Sequence, residues 1–273
     1  MSILYLVPTP IGNLSDISDR CRETLASVDF IAAEDTRVTL RLLNHLALKK
    51  PLVSYYEHNK EVSGPRIVER LLGGETCALV TDAGSPAISD PGEDLVRLCA
   101  ERGVPVTAIP GPCAAITALS ISGLPTGRFT FEGFLSTTKK NRAAHLASLQ
   151  NETRTMIFYE APHKLCATLN DLCAAFGAER RVALCRELTK LHEEVLRMTL
   201  GSAVDYYAEN APRGEYVLIV EGRKPVEKTL SQDDAVRQVQ ALLERGFSKK
   251  DAVRQVSAET GFPKNALYDA VVK

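Results

Sequence analysis

The chain has 273 residues, 45% of them hydrophobic and 25% charged, with 33 Lys and Arg against 34 Asp and Glu. That length is near the size at which single cores divide, so two domains, or two plus an appendage, are expected. A net charge of −1 excludes a bulk polycation, and nucleic-acid contact must rest on local positive charge or on shape.

The start, MSILYLVPTP, has no basic segment before an apolar one, and no apolar run in the chain has membrane-spanning length. No signal peptide and no membrane partner are expected. The seven cysteines are odd in number and form no CxxC, which fits reduced thiols in a cytoplasmic protein and no metal site. Ile3–Val7 reads as a buried strand ended by the rigid turn Pro8–Leu14. Ser15 or Asp16 then caps a helix running to about Val28. Asp29–Ala33 is a strand followed by Glu34-Asp35-Thr36-Arg37, then a helix with Leu40, Leu43 and Leu46 on its apolar face. Pro51–Tyr56 is a strand ending in Glu57-His58-Asn59, and Pro65–Leu72 a helix stopped by Gly73-Gly74. Cys77–Thr81 is an apolar strand. It runs into Asp82-Ala83-Gly84-Ser85-Pro86-Ala87-Ile88-Ser89-Asp90-Pro91-Gly92, a polar loop with two carboxylates beside the hydroxyls of Ser85 and Ser89. It contains no Lys and no GxxxxGK[ST], so it is not a phosphate loop. By pattern it is either a small-molecule loop or a tight strand-to-helix turn. Asp94–Arg102 is a helix and Val104–Ile109 a strand ending in Pro110-Gly111-Pro112. This alternation predicts a parallel α/β domain, with charged and Gly/Pro residues gathered at one sheet edge.

Pro112–Gly123 is an uncharged, small-residue helix. Phe129–Leu135, Thr155–Tyr159, Val182–Cys185, Glu193–Leu200 and Tyr216–Glu221 read as strands, with helices at Ala143–Gln150 and Leu165–Phe176. Close strand spacing predicts a second, mixed sheet. Thr137–Arg142 reads as a polar loop whose Lys139, Lys140 and Arg142 form a phosphate patch or are simply solvated. After a charged linker at Lys224–Thr229, three short helices opened by Ser231, Ser248 and Pro263 form a helix-turn-helix-like unit. It carries 8 Lys and Arg against 6 Asp and Glu over Lys228–Lys273, a weak basic bias. Domains are therefore placed at 1–111, 112–223 and 229–273.

The segments LYLVPTPIGNLSDIS, AAEDTR, YEHN, ALVTDAGSPAISDPG, PGPCAAITALSISGLP, FYEAPHKL, RELTK and, near the end, KNALYDAV occur in that order over nearly the full length. Together they resemble the bacterial ribosomal RNA small-subunit methyltransferase I family, a branch of the tetrapyrrole-methylase superfamily. The resemblance implies a two-domain α/β methylase, usually a homodimer, holding S-adenosylmethionine between its domains. It implies methylation of the ribose 2′-hydroxyl of a cytidine in 16S ribosomal RNA of the small ribosomal subunit. Consistently, Pro8–Gly12 stands where a Rossmann GxGxxG would follow the first strand.

By position, the cofactor would meet Pro10 and Gly12 in the first turn, Asp82, Ala83, Gly84, Ser85, Ala87, Ile88 and Ser89 in the polar loop, and Pro112. Leu135 and Tyr159 are placed on its adenine side. The hydroxyl acceptor must lose a proton. Glu34 or Asp35, His58, Glu160, Glu187 and Lys190 are the groups considered for that step, in preference to Asp82 and Asp90. Arg37, Arg186 and Lys190 are assigned to RNA phosphates or the ribose, although EDTR and RELTK also read as internal salt-bridge networks. Two competing readings are a tetrapyrrole C-methyltransferase and a ligand-sensing DNA-binding regulator.

Overall fold

A computed structural model describes residues 2–224 and 231–271. The linker read at 224–229 lies almost wholly outside the described residues, as does Val272, where the sequence reading ends the third C-terminal helix. Met1–Arg223 forms one compact unit and Lys224–Lys273 another.

The first sheet holds β1 (Leu4–Leu6), β2 (Phe30–Ala33), β3 (Leu52–Ser54), β4 (Cys77–Val80) and β5 (Val106–Ala108), in the order β3-β2-β4-β1-β5. All its pairings are parallel. Every residue of β2 and β4 is buried, which is why their sequences run apolar without alternation. Helices α1 (Asp19–Ser27) and α2 (Thr36–His45) share one core with Ile31, Ala78 and Val80. Helices α3 (Lys60–Leu72) and α4 (Glu93–Glu101) share the other with Phe30, Ala32 and Leu79. The chain leaves β1 toward one face and β4 toward the other, so a crevice opens between these adjacent strands at their carboxyl ends.

Several local expectations are corrected. Ser18, not Ser15 or Asp16, caps α1, its side chain accepting from the Cys21 N–H; Leu14–Asp16 is a separate 3₁₀ turn capped by Asn13. In α2 the buried face is Thr39, Leu42 and Leu43, and Leu40 is exposed. Helix α3 starts before Pro65, which sits inside it.

The second sheet follows helix α5 (Ala114–Ile121). It holds β6 (Phe129–Phe134), β7 (Thr155–Glu160), β8 (Arg181–Arg186), β9 (Glu194–Thr199) and β10 (Tyr216–Val220), in the order β6-β7-β10-β8-β9. Only β6 and β7 pair in parallel, so the sheet is mixed as expected. Helix α5 packs on one face through Ala115, Ala118 and Leu119. The other face meets α6 (Lys139–Ser148), α7 (Pro162–Phe176) and α8 (Leu200–Glu209) around Phe158, Leu169 and Leu218. Helix α8 is absent from the sequence reading, which carried the preceding strand through Leu200. Thr199 ends that strand and caps the helix by accepting from the Ser202 N–H.

The expected basic loop is also corrected. Lys139, Lys140 and Arg142 lie in the first turn of α6. Arg142 is largely buried and spends its guanidinium on Asp171, at 2.5 Å, and Thr168, at 2.8 Å, so it is not part of an open phosphate patch.

The C-terminal unit is α9 (Gln232–Glu244), α10 (Lys249–Thr260) and α11 (Lys264–Ala270) around Ala235, Val239, Val253, Val256 and Leu267. Ser231 and Asp234 cap each other reciprocally, and Gly261 takes the left-handed conformation that ends α10.

Phe158 is 0% exposed at the centre of the second sheet. Phe158→Ala is expected to remove about 3–5 kcal/mol of stability, read by chemical denaturation.

Candidate active site

The β1–β4 crevice is closed by a two-residue bridge. The Thr9 N–H donates to the Gly84 carbonyl at 2.9 Å and the Gly84 N–H returns to the Thr9 carbonyl at 3.0 Å. The Thr9 hydroxyl donates to the Thr81 carbonyl at 3.0 Å. On the other flank of β4, the Thr81 hydroxyl donates to Glu34 at 2.6 Å, and the Asp35 N–H donates to Asp82 at 3.1 Å. The loop after β4 is thereby tied to the strands on both sides.

Backbone strain concentrates here. Among the described residues, five non-glycine residues have positive φ: Ala47, Ala87 and Ser89, then Glu187 and Thr189. The last four lie in the loop after β4 and the loop after β8, and both loops border one cavity. Such conformations persist only where the surroundings impose them, and they gather at binding sites. Gly92, at φ +149°, closes the first loop; a Cβ there would stand 2.9 Å from both Ala87 Cβ and Leu79 Cδ2.

The cavity has a volume of about 270 Å³, close to the lower limit of about 300 Å³ for small-molecule sites. Its first-sheet wall is Ile11 with Ala83, Gly84, Ser85, Ile88, Ser89 and Asp90. The Ser85 hydroxyl donates to the Pro112 carbonyl at 3.0 Å, anchoring this wall to the Pro110–Pro112 turn. The opposite wall is Phe134, Tyr159, Glu160, Leu188 and Lys190, with Glu215 and Tyr216. Phe134 and Phe131 meet the Tyr159 ring edge-on, with centroids 5.5 and 5.2 Å away. The Tyr159 oxygen accepts from the Ala115 N–H at 3.1 Å and so holds the start of α5. Gly133, at a β-bulge, lets β6 approach Ser89; a Cβ there would lie 3.2 Å from its hydroxyl.

The loop after β8 is built around Glu187. Its carboxylate accepts from Lys190 Nζ at 2.8 Å and from the Glu215 N–H at 3.0 Å, while its own N–H donates to the Glu215 carbonyl. Lys190 Nζ also reaches Glu215 at 2.8 Å. Gly12 completes the joint between the sheets: a Cβ there would stand 2.5 Å from Lys190 Cγ and 3.0 Å from the Leu188 carbonyl oxygen. Thr189 Oγ1, beside it, is buried without a protein partner, as is Arg186 Nε. Arg186 pairs with Glu194 at 3.3 Å.

Of the residues assigned to the cofactor, Ala83, Gly84, Ser85, Ile88, Ser89 and Tyr159 line the cavity. Pro10, Gly12, Asp82 and Pro112 are not among its lining residues, although the Pro112 carbonyl anchors Ser85. Ala87 turns instead to a neighbouring apolar cavity shared with Leu6, Pro8 and Val96. Leu135 is corrected outright: it is 5% exposed and packs in the core behind the second sheet, while its neighbour Phe134 enters the cavity. A strand end alternates faces, so the sequence reading chose the wrong member of the pair. Of the groups assigned to catalysis, Lys190 lines the cavity. Glu34 and Glu187 are tied up as described. Arg37 is bidentate with Asp35, down to 2.6 Å, and exposed. His58 is exposed on the loop after β3, its ring edge-on to Tyr56 at 6.3 Å. Glu160, considered for the proton step, is in the wall but 4% exposed; both its oxygens are used, accepting from the Ala161 N–H and the Thr168 hydroxyl.

The electrostatics divide the two walls. Burial, then the nearby Glu34 charge, pushes Asp82 above the usual carboxylate range and Asp90 up to about 6. The Lys190 hydrogen bond, then the Glu215 N–H, lowers the Glu187 pKa. Burial of Lys190 works against its charge, yet Glu187 and Glu215 outweigh it and raise its pKa. The first wall thus offers a weakly acidic carboxyl and the second a fixed cation. Among the described residues no group of three or more His, Cys, Asp or Glu is arranged around a metal position.

Gly92→Ala is expected to destabilise the protein by about 1–3 kcal/mol, read as a lowered melting temperature, because it adds a clash to a conformation that L-residues avoid.

Residues 3–204 match the model of the tetrapyrrole (corrin/porphyrin) methylases, and residues 229–273 that of the RsmI C-terminal HTH domain. The chain is 47% identical over 269 residues to a "Ribosomal RNA small subunit methyltransferase I" of Synechocystis sp., covering 98% of this chain and 96% of the relative. It is 48% identical over 270 residues to the protein of that name in Halalkalibacterium halodurans, covering 97% and 93%. Among solved structures it is similar in fold to a diphthine synthase, with a TM-score of 0.61 at 15% identity, covering 81% of this chain and 90% of that one. With full-length identity of this order across both matched regions, the chain belongs to the ribosomal RNA small subunit methyltransferase I family, within the tetrapyrrole methylases.

Proposed function

We propose that the protein transfers a methyl group from S-adenosylmethionine to the ribose 2′-hydroxyl of a cytidine in small-subunit ribosomal RNA. In this reading it is a cytoplasmic homodimer acting on the small ribosomal subunit. Residues 1–111 and 112–223 work as two domains on either side of the cavity, and residues 229–273 serve as a third. The observation that carries the reading is the cavity at the β1–β4 switch point, bounded by two loops of strained backbone, in a chain of this family.

The residues present fit the cofactor. Ile11, Ala83, Phe134 and Leu188 supply apolar walls. The strained loop presents backbone donors and acceptors, and Ser89, exposed and held against the β6 bulge, offers a hydroxyl at the rim. When bound, S-adenosylmethionine supplies a methyl group on a positively charged sulfur. The protein's part is alignment of the reacting atoms about 3–3.5 Å apart and exclusion of water. In this reading Lys190, fixed by two carboxylates, and Arg186, paired with Glu194, hold the ribose or its phosphates. In the same reading exposed Arg37 meets a phosphate.

Purified small subunits incubated with the protein and methyl-labelled S-adenosylmethionine are expected to carry label on a cytidine 2′-oxygen, identified by nuclease digestion and mass spectrometry. Label in a tetrapyrrole instead, or no label together with tight DNA-duplex binding, would replace this reading with one of its competitors. Arg186→Ala and Lys190→Ala are each expected to lower kcat/KM about tenfold or more, the scale of one lost charge-assisted hydrogen bond. Full activity in both variants would remove these residues from the site.

A further inference from the structure

We propose that Asp90 is the group that takes the proton from the attacking hydroxyl. This rests on the methyl-transfer reading above and adds to it the identity of the base.

Four charged side chains line the cavity: Asp90, Glu160, Lys190 and Glu215. Glu160 has both oxygens occupied and sits 4% exposed under the wall. Lys190 and Glu215 are paired with each other, and Lys190 with Glu187 as well. Asp90 makes no ion pair among the described residues. Its neighbour Thr81 has one hydroxyl proton, which goes to Glu34 at 2.6 Å. That leaves Asp90 lining the cavity without an ion-pair partner among the described residues, with the Thr81 hydroxyl beside it. The backbone around it is rigid: Ser89 on one side has φ +60°, and Gly92, two residues beyond, has φ +149°.

The surroundings give this carboxyl a suitable basicity. Glu34 after β2 and Asp82 after β4 stand on its first-sheet side, and Tyr159 of β7 is within electrostatic reach across the cavity. Burial first, then Glu34 and Asp82, raise its pKa to about 6, against the lowering influence of Thr81. A base of that strength is ionised at neutral pH and accepts a proton more readily than an ordinary aspartate. The step balances within the proposed reaction. As the hydroxyl oxygen bonds to the methyl carbon, the carbon–sulfur bond breaks and its electron pair stays on sulfur. The hydroxyl proton passes to the Asp90 carboxylate and from there to water. Lys190, on the opposite wall, stays protonated and cannot compete for it.

The test compares full-length wild type, Asp90→Asn and Asp90→Glu. S-adenosylmethionine affinity is measured by calorimetry, and kcat on purified small subunits from about pH 5 to about pH 9. Asp90→Asn is expected to lose about 100-fold or more in kcat while binding S-adenosylmethionine nearly as wild type does. Wild-type kcat is expected to rise with pH through about 6 and then level off, as the carboxyl ionises. That rise should vanish in Asp90→Asn, and Asp90→Glu should recover part of both rate and profile. If Asp90→Asn keeps its rate and its pH rise, or loses cofactor affinity but not kcat at saturating cofactor, Asp90 is not the base. A wild type that methylates no ribose fails the parent reading; an active wild type with an equally active Asp90→Asn fails only this one.

Discussion

The Thr9–Gly84 bridge is the constraint from which the site follows. Parallel strands β1 and β4 send their chains to opposite faces of the sheet, so their carboxyl ends would otherwise part. Two backbone hydrogen bonds and the Thr9 hydroxyl hold them together where the loops begin to diverge. Neither residue uses its side chain for the paired backbone bonds, so the joint depends on backbone geometry, with Gly84 at φ +85°. With that end fixed, the rest of the Asp82–Gly92 segment has little freedom, and the positive φ at Ala87 and Ser89 is imposed rather than chosen.

The second sheet meets this loop through close approaches of a similar kind. Gly133 leaves room for Ser89, and Gly12 leaves room for Lys190, so in each case a missing side chain on one wall admits a residue of the other. These joints set the width of the cavity. They also explain why its charges are held apart: Asp90 is fixed on one side by the strained loop, while Glu187 and Glu215 fix Lys190 on the other. Charged groups held in a site from which water can be excluded interact more strongly than on an open surface, which is the setting an ionic methyl donor and an alcohol acceptor require.

Much of the architecture could be read from the residues. The uninterrupted apolar runs at Phe30–Ala33 and Cys77–Val80 belong to strands buried on both faces, and the alternation of such runs with capped helices leads to a parallel sheet. Gathering of Gly, Pro and charge at strand ends pointed to the sheet edge along which the cavity lies. Ser231 and Ser248 announce their helices because an oxygen three residues before a free N–H is a local interaction. The errors have local causes too. Ser15 and Ser18 are chemically equivalent caps in one dimension, and Thr199 closes a strand and opens a helix with no break between them.

The sequence by itself determined the family and the two α/β halves with their helical appendage, because each is encoded in local pattern or in ordered motifs. Only the tertiary structure decided which residues of those motifs face the cavity. In the sequence Glu34 and Glu187 look more catalytic than Asp82 and Asp90, although all four are carboxylates at strand ends. What separates them is which partner the fold delivers: a Thr81 hydroxyl to Glu34, a lysine to Glu187, an Asp35 N–H to Asp82, and an open cavity to Asp90. The partners of Glu34 and Asp82 lie 47 residues away, and those pairings exist only once β2 and β4 have been brought side by side.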